Sequence, residues 1–106
     1  MPIFCLEPQN GDTSHPSWQA SDLKEGCWVE AESEAVARLL VERATLKMLP
    51  VNSETKVIFP PWRQERLVAC REENPPQEIP QGKILTKSGK LLDAPRPLKA
   101  RSAPPT

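Results

Sequence analysis

Three cysteines and one histidine carry the most versatile chemistry in this 106-residue chain. Cys5, Cys27 and Cys70 could bind Zn²⁺ with His15 as fourth ligand if they converged, since zinc takes thiolate and imidazole donors in a tetrahedral set. A cysteine with His15 as base would instead be a nucleophile pair, which needs hydrogen-bond reach, an orienting third group and an oxyanion hole. Spacing argues against both. The cysteines fall singly with no CxxC pair, whereas structural zinc sites draw paired ligands from tight turns. A nucleophile elbow and a Gly-rich phosphate loop are also missing, and four glycines leave little material for a phosphate cradle. Three thiols cannot all pair in one chain, and a cytoplasmic protein keeps them reduced. Each cysteine is therefore read as a small buried hydrophobe in a strand. The expectation is no catalytic residue, no metal and no cofactor.

The tryptophans are the second set. Trp is enriched at interface hot spots, and the chain has three Trp, no Tyr and two Phe. Trp18 and Trp62 sit in loop-like surroundings and read as lids closing a thin core. Trp28, in an alternating strand, stays open between core and contact residue. Base stacking would require cations beside the rings. Arg63 and Arg66 follow Trp62, but Glu65 interrupts them.

These residues depend on a few elements. Residues 27–48, CWVEAESEAVARLLVERATLKM, read as a strand and then the one convincing helix. Ser33 is a good N-cap and Glu34 suits the positive end of the helix dipole. Val36, Ala37, Leu40, Val41, Ala44 and Met48 fall on one face, with Arg38 and Glu42 opposite. Leu39 and Leu46 form a second line on the flank, to be covered by a loop or a partner. Pro50 closes the segment. In Cys27–Ala31, Cys27, Val29 and Ala31 share one face, leaving Trp28 and Glu30 on the other. Residues 2–7 and 67–72 read as two further strands. Val57–Phe59, stopped by Pro60 and Pro61, reads as a packed loop. One helix covers one face of three strands, which makes a two-layer α+β domain.

Composition divides the chain. Residues 1–80 hold eight Lys/Arg against thirteen Asp/Glu, whereas residues 81–106 hold six against one. Seven of the last 32 residues are proline. The reading is a core domain over 1–73, a Pro-rich linker with a possible hairpin over 74–93, and a disordered basic tail over 94–106. Lys83–Thr86 and Lys90–Leu92 flank Lys87-Ser88-Gly89, a fair hairpin signal. A lone hairpin is marginal in water, so Ile84, Leu85, Leu91 and Leu92 would dock near Trp28 on the far face of the sheet, on the Leu39–Leu46 flank, or on a partner. No apolar run is long enough for a membrane span, and the start lacks the basic and apolar regions of a signal peptide. A cytoplasmic setting is expected.

The run His15-Pro16-Ser17-Trp18-Gln19-Ala20-Ser21, then Trp28 to Leu39, then Pro61-Trp62 and Leu67-Val68-Ala69-Cys70, resembles a group of small uncharacterised bacterial proteins. In those proteins a Pro-x-Trp-x-x-Ser loop precedes a strand and a Glu/Ala/Arg-rich helix, and a Pro-Trp turn and Val-x-Cys strand follow. The resemblance spans about residues 1–73. It implies the same fold and a bacterial setting, with no assigned activity or site. The functional expectation is a non-enzymatic bacterial or phage protein acting through contact with an unknown protein partner or a second copy, through Trp28, Trp62, Leu39, Leu46, Ile84 and Leu85. The alternative is a nucleic-acid-associated accessory protein using the basic segment.

Overall fold

Residues 3–8 alternate between two apolar environments, and this first strand becomes an interior strand of the sheet. The computed structural model describes residues 1–47 and 59–94. Its elements are β1 (Ile3–Pro8), β2 (Cys27–Glu30), α1 (Glu34–Thr45), β3 (Val68–Glu72), β4 (Lys83–Thr86) and β5 (Leu91–Asp93), with short 3-10 turns at Gln9–Gly11, Pro16–Ala20 and Pro61–Arg63. The sheet order is β3-β1-β2-β4-β5 and every neighbouring pair is antiparallel. This is a small α+β domain, with five strands among the described residues where three are expected from sequence. No helix among the described residues is long and apolar enough to cross a membrane.

Register sorts the side chains into two faces. Leu6 lies opposite Cys27 on one side and Cys70 on the other, and Phe4 lies opposite Val29. These residues face α1 and form the main core with Val68, Ile84, Leu40, Val41, Trp18 and Trp62. Cys5 is paired with Trp28 and Arg71, and Trp28 with Leu85. This row points to the opposite face, where Cys5, Trp28 and Leu85 make a second small core with Ile3 and Ile79 packed against it.

Helix α1 begins as its sequence dictates: the Ser33 hydroxyl accepts from the Val36 N–H. It packs Ala37, Leu40 and Val41 fully into the core, with Val36 and Ala44 partly buried beside them. Arg38 corrects the expected helix face. It is only 7% exposed, because the Pro61–Arg63 turn lies over that side and offers it a carbonyl. Met48, Pro50, Val57 and Ile58 lie outside the described residues, as do residues 95–106. Phe59 is described and is 68% exposed.

The hairpin forms and docks edge-on, which brings Leu85 beside Trp28 on the far face of the sheet, one of the expected places. β4 pairs edge-on with β2, so the sheet simply continues across the compositional change at residue 74. Ile84 then enters the main core while its neighbour Leu85 enters the small core behind it. The turn is set by Gly89, whose φ of +97° favours a residue without Cβ. The Gly89 N–H donates to the Thr86 carbonyl at 2.9 Å, and the Thr86 N–H donates to the Lys90 carbonyl at 2.8 Å. At its tip the Lys87 N–H donates to the Gly26 carbonyl at 2.9 Å. Gly26 is itself wedged between β1 and the hairpin: a Cβ there would stand 2.8 Å from the Glu7 Cβ, 3.0 Å from the Leu6 carbonyl oxygen and 3.0 Å from the Lys87 Cε.

Candidate functional site

Two clusters draw in most of the residues that could do chemistry. The first joins the two loops carrying Trp18 and Trp62. Their rings meet edge to face, with centroids 5.2 Å apart and planes at 78°, the arrangement the ring quadrupoles favour. The Trp62 indole N–H donates to the Ser21 hydroxyl at 2.9 Å, and that hydroxyl donates to the Leu23 carbonyl at 2.7 Å. The Gln64 amide donates to the Ser17 hydroxyl at 3.1 Å. Arg38 donates to the Trp62 carbonyl at 2.9 Å through one guanidinium nitrogen and to Glu34 at 2.9 Å through another. The Trp18 indole N–H is buried without a hydrogen-bond partner among the described residues.

The second cluster is a closed circuit of five side chains over Cys5. The Lys87 ammonium lies 4.3 Å from the Trp28 ring centroid. The Trp28 indole N–H donates to Glu73 at 3.1 Å, and Arg71 donates to the other oxygen of Glu73 at 2.7 Å. Arg71 also pairs with Glu7 at 2.7 Å, and Glu7 faces Lys87 at 3.7 Å, which closes the loop. The Trp28 N–H and then Arg71 hold the Glu73 carboxyl below the usual range. Hydrogen bonds to Glu7 and then Glu73 raise the Arg71 pKa further. Nearby, the Ser88 hydroxyl donates to Glu25 at 2.7 Å, and Lys83 pairs with Asp93 across the hairpin. Of the hairpin's cations, Lys87 thus meets the acidic body, whereas Lys83 is paired within the hairpin.

The cysteines do not converge as one set. Cys5 faces the small core, whereas Cys27 and Cys70 flank Leu6 on the α1 side. Burial raises the Cys5 thiol pKa, pushes Cys70 up to about 11 and holds Cys27 well above the ordinary thiol range. Among the described residues no group of three or more His, Cys, Asp or Glu is placed to hold a metal ion. His15 uses Nδ1 to accept from the Ser17 N–H at 3.1 Å, capping the turn that carries Trp18.

No family model, curated protein or solved structure matches this chain.

Of the six residues expected to make contacts, the fold encloses four. Trp62, Ile84 and Leu85 are completely buried and Trp28 is 6% exposed. Leu39 is half-buried, and Leu46 is 49% exposed where it bridges to Ser21. Trp28 and Leu85 come together in the small core, and the other four do not join them. Leu91, expected to dock together with Ile84, Leu85 and Leu92, is instead 44% exposed on an edge strand. Its signal was alternation against Leu92: of two adjacent leucines in a strand covered on one side, one must face out.

Proposed function

We propose that this chain is a small non-enzymatic protein that acts through protein–protein contact, with β5 as the contact edge. The observation that carries this reading is Leu91, a large exposed side chain on a strand whose outer side has no strand partner among the described residues. Such an edge offers its backbone groups to an incoming strand, while alternate side chains set the choice of partner. Leu91 lies opposite the buried Leu85, so an added strand would lengthen the row Arg71, Cys5, Trp28, Leu85, Leu91. The three residues of β5 suit a weak, reversible contact. Leu39 and Leu46 offer further apolar surface on the helix flank.

The reactive groups support the same reading. Their thiols are held protonated by burial, and the imidazole is engaged in a turn. The nucleic-acid alternative draws on the basic segment, of which Lys83 and Lys87 are engaged with Asp93, Glu7 and Trp28. The resemblance to small bacterial proteins and the composition favour a bacterial or phage origin and a cytoplasmic setting.

The test is sedimentation velocity across protein concentration for the native chain and for Leu91→Lys, beside anisotropy titrations with a labelled single-stranded oligonucleotide at two salt concentrations. The reading expects concentration-dependent mass in the native chain that Leu91→Lys abolishes. Identical monomers at every concentration would remove self-association through β5. Tight oligonucleotide binding that falls steeply with salt would replace the reading with the nucleic-acid one.

A further inference from the structure

A groove of about 490 Å³ opens at the end of the sheet where β1 starts and β2 stops. Ile3, Pro75 and Ile79 give it an apolar lining, and Glu30, Gln77 and Glu78 stand around it. Topology makes this end acidic. β2, β3 and β5 all run toward it, because β2 and β3 are each antiparallel to β1, and β5 returns antiparallel to β4. Their ends and the following turns deliver Glu32, Glu72 and Glu78, which are exposed and have no ion-pair partner among the described residues.

The same topology brings the rest of the chain to this place. β5 ends at Asp93, and the Ala94 N–H donates at 2.9 Å to the carbonyl of Gly82, in the connection that also carries the groove residues Pro75 to Ile79. Residues 95–106 start from that point. They carry Arg96, Lys99 and Arg101 with no acidic residue, together with four prolines and Leu98. Twelve residues reach up to about 40 Å when extended, and five strands at the usual spacing span about 19 Å. Reach is therefore ample, and the charge signs are opposite.

We propose that the groove and its acidic rim receive residues 95–106 of the same chain, with Leu98 and the prolines against Ile3 and Ile79 and the three cations among Glu32, Glu72 and Glu78. This goes beyond the β5 contact and does not depend on it. Held this way, the basic segment is withdrawn from other anionic partners.

The test is amide chemical-shift mapping on the full chain, comparing the native protein with the triple variant Arg96→Gln, Lys99→Gln, Arg101→Gln at 20 and 500 mM salt. Screening at the higher salt shortens the reach of each charge to a few ångströms. The expected result is that salt shifts the amides of Ile3, Glu32, Glu72 and residues 77–79 in the native chain. The triple variant already shows the high-salt positions at 20 mM. Native and variant spectra that coincide at these amides at low salt would overturn the proposal. Shifts that grow with protein concentration would also overturn it, because the occupant would then be the same segment of a second copy.

Discussion

The Lys87 ammonium sits 4.3 Å above the centre of the Trp28 indole, and the two residues come from opposite sides of the compositional boundary at residue 74. A cation over an indole contributes about 0.5–1 kcal/mol when exposed and more when desolvated. Lys87→Met keeps most of the aliphatic stem over the ring and removes the charge from the circuit. It should lower stability by about 1 kcal/mol in a denaturant titration and change Trp emission. An unchanged midpoint would mean that the hairpin is held by its backbone and apolar contacts alone.

Arg38→Lys tests the loop cluster. The guanidinium reaches Glu34 and the Trp62 carbonyl at once, and lysine has no planar fork to do both. Losing a charged hydrogen bond to a buried carbonyl should cost about 1.5–3 kcal/mol. Ser21→Ala removes the acceptor of the buried Trp62 N–H and should cost about 1–3 kcal/mol. Because both residues meet at Trp62, the double variant should cost less or more than the sum of the two, and a double-mutant cycle reads this directly.

How much of this arrangement the chain discloses depends on the residue. Three strands and the helix start were legible because alternation and an N-cap are local signals. The burial of Arg38 was not, since a helical wheel cannot know that the Pro61–Arg63 turn lies over its polar side. The hairpin was legible from Ser88-Gly89, but its edge-on docking was not. One signal could have found it. Ile84 and Leu85 are adjacent, so a strand holding both must be covered on both faces, as an interior strand is. Trp28 stayed ambiguous because the cover on its side comes from Ile79 and Lys87, distant in sequence and unremarkable in type.

Acid should loosen the circuit. The Trp28 N–H and Arg71 lower the folded-state pKa of Glu73, and Lys83 lowers that of Asp93. A depressed carboxyl stabilises the fold above its unfolded pKa, about 4, and that contribution fades as pH falls through the lower folded value. Melting temperature should therefore drop below about pH 4. Glu73→Gln should flatten part of the decline and lower the plateau near neutrality. An identical pH profile for the variant would refute a role for this carboxylate in acid sensitivity.

Chain ends separate the hairpin from the residues after it. Ile84 and Leu85 are fully buried, and burying such a side chain contributes about 1.5–3 kcal/mol. A chain ending at Pro80 should lose its cooperative melt, because both residues and the β4 ladder go with it. A chain ending at Ala94 should keep that melt. Equal melting temperatures for the two would contradict the pairing of β4 with β2.

The place of β1 in the sheet has a consequence for how the protein comes off the ribosome. Residues 3–8 are made before both of their partners, pairing with Cys27–Glu30 on one side and with Val68–Glu72 on the other. Leu6 and Cys70 are 64 positions apart, a separation that makes a nucleus slow to close. Until β3 emerges, a nascent chain holds β1 with one bare, apolar flank, and until β4 emerges it holds β2 likewise. Both flanks are ready to pair with a neighbouring nascent chain. The short charged outer strand β3, with Arg71 and Glu72, and the three-residue β5 then close a sheet whose vulnerable strands were translated before them.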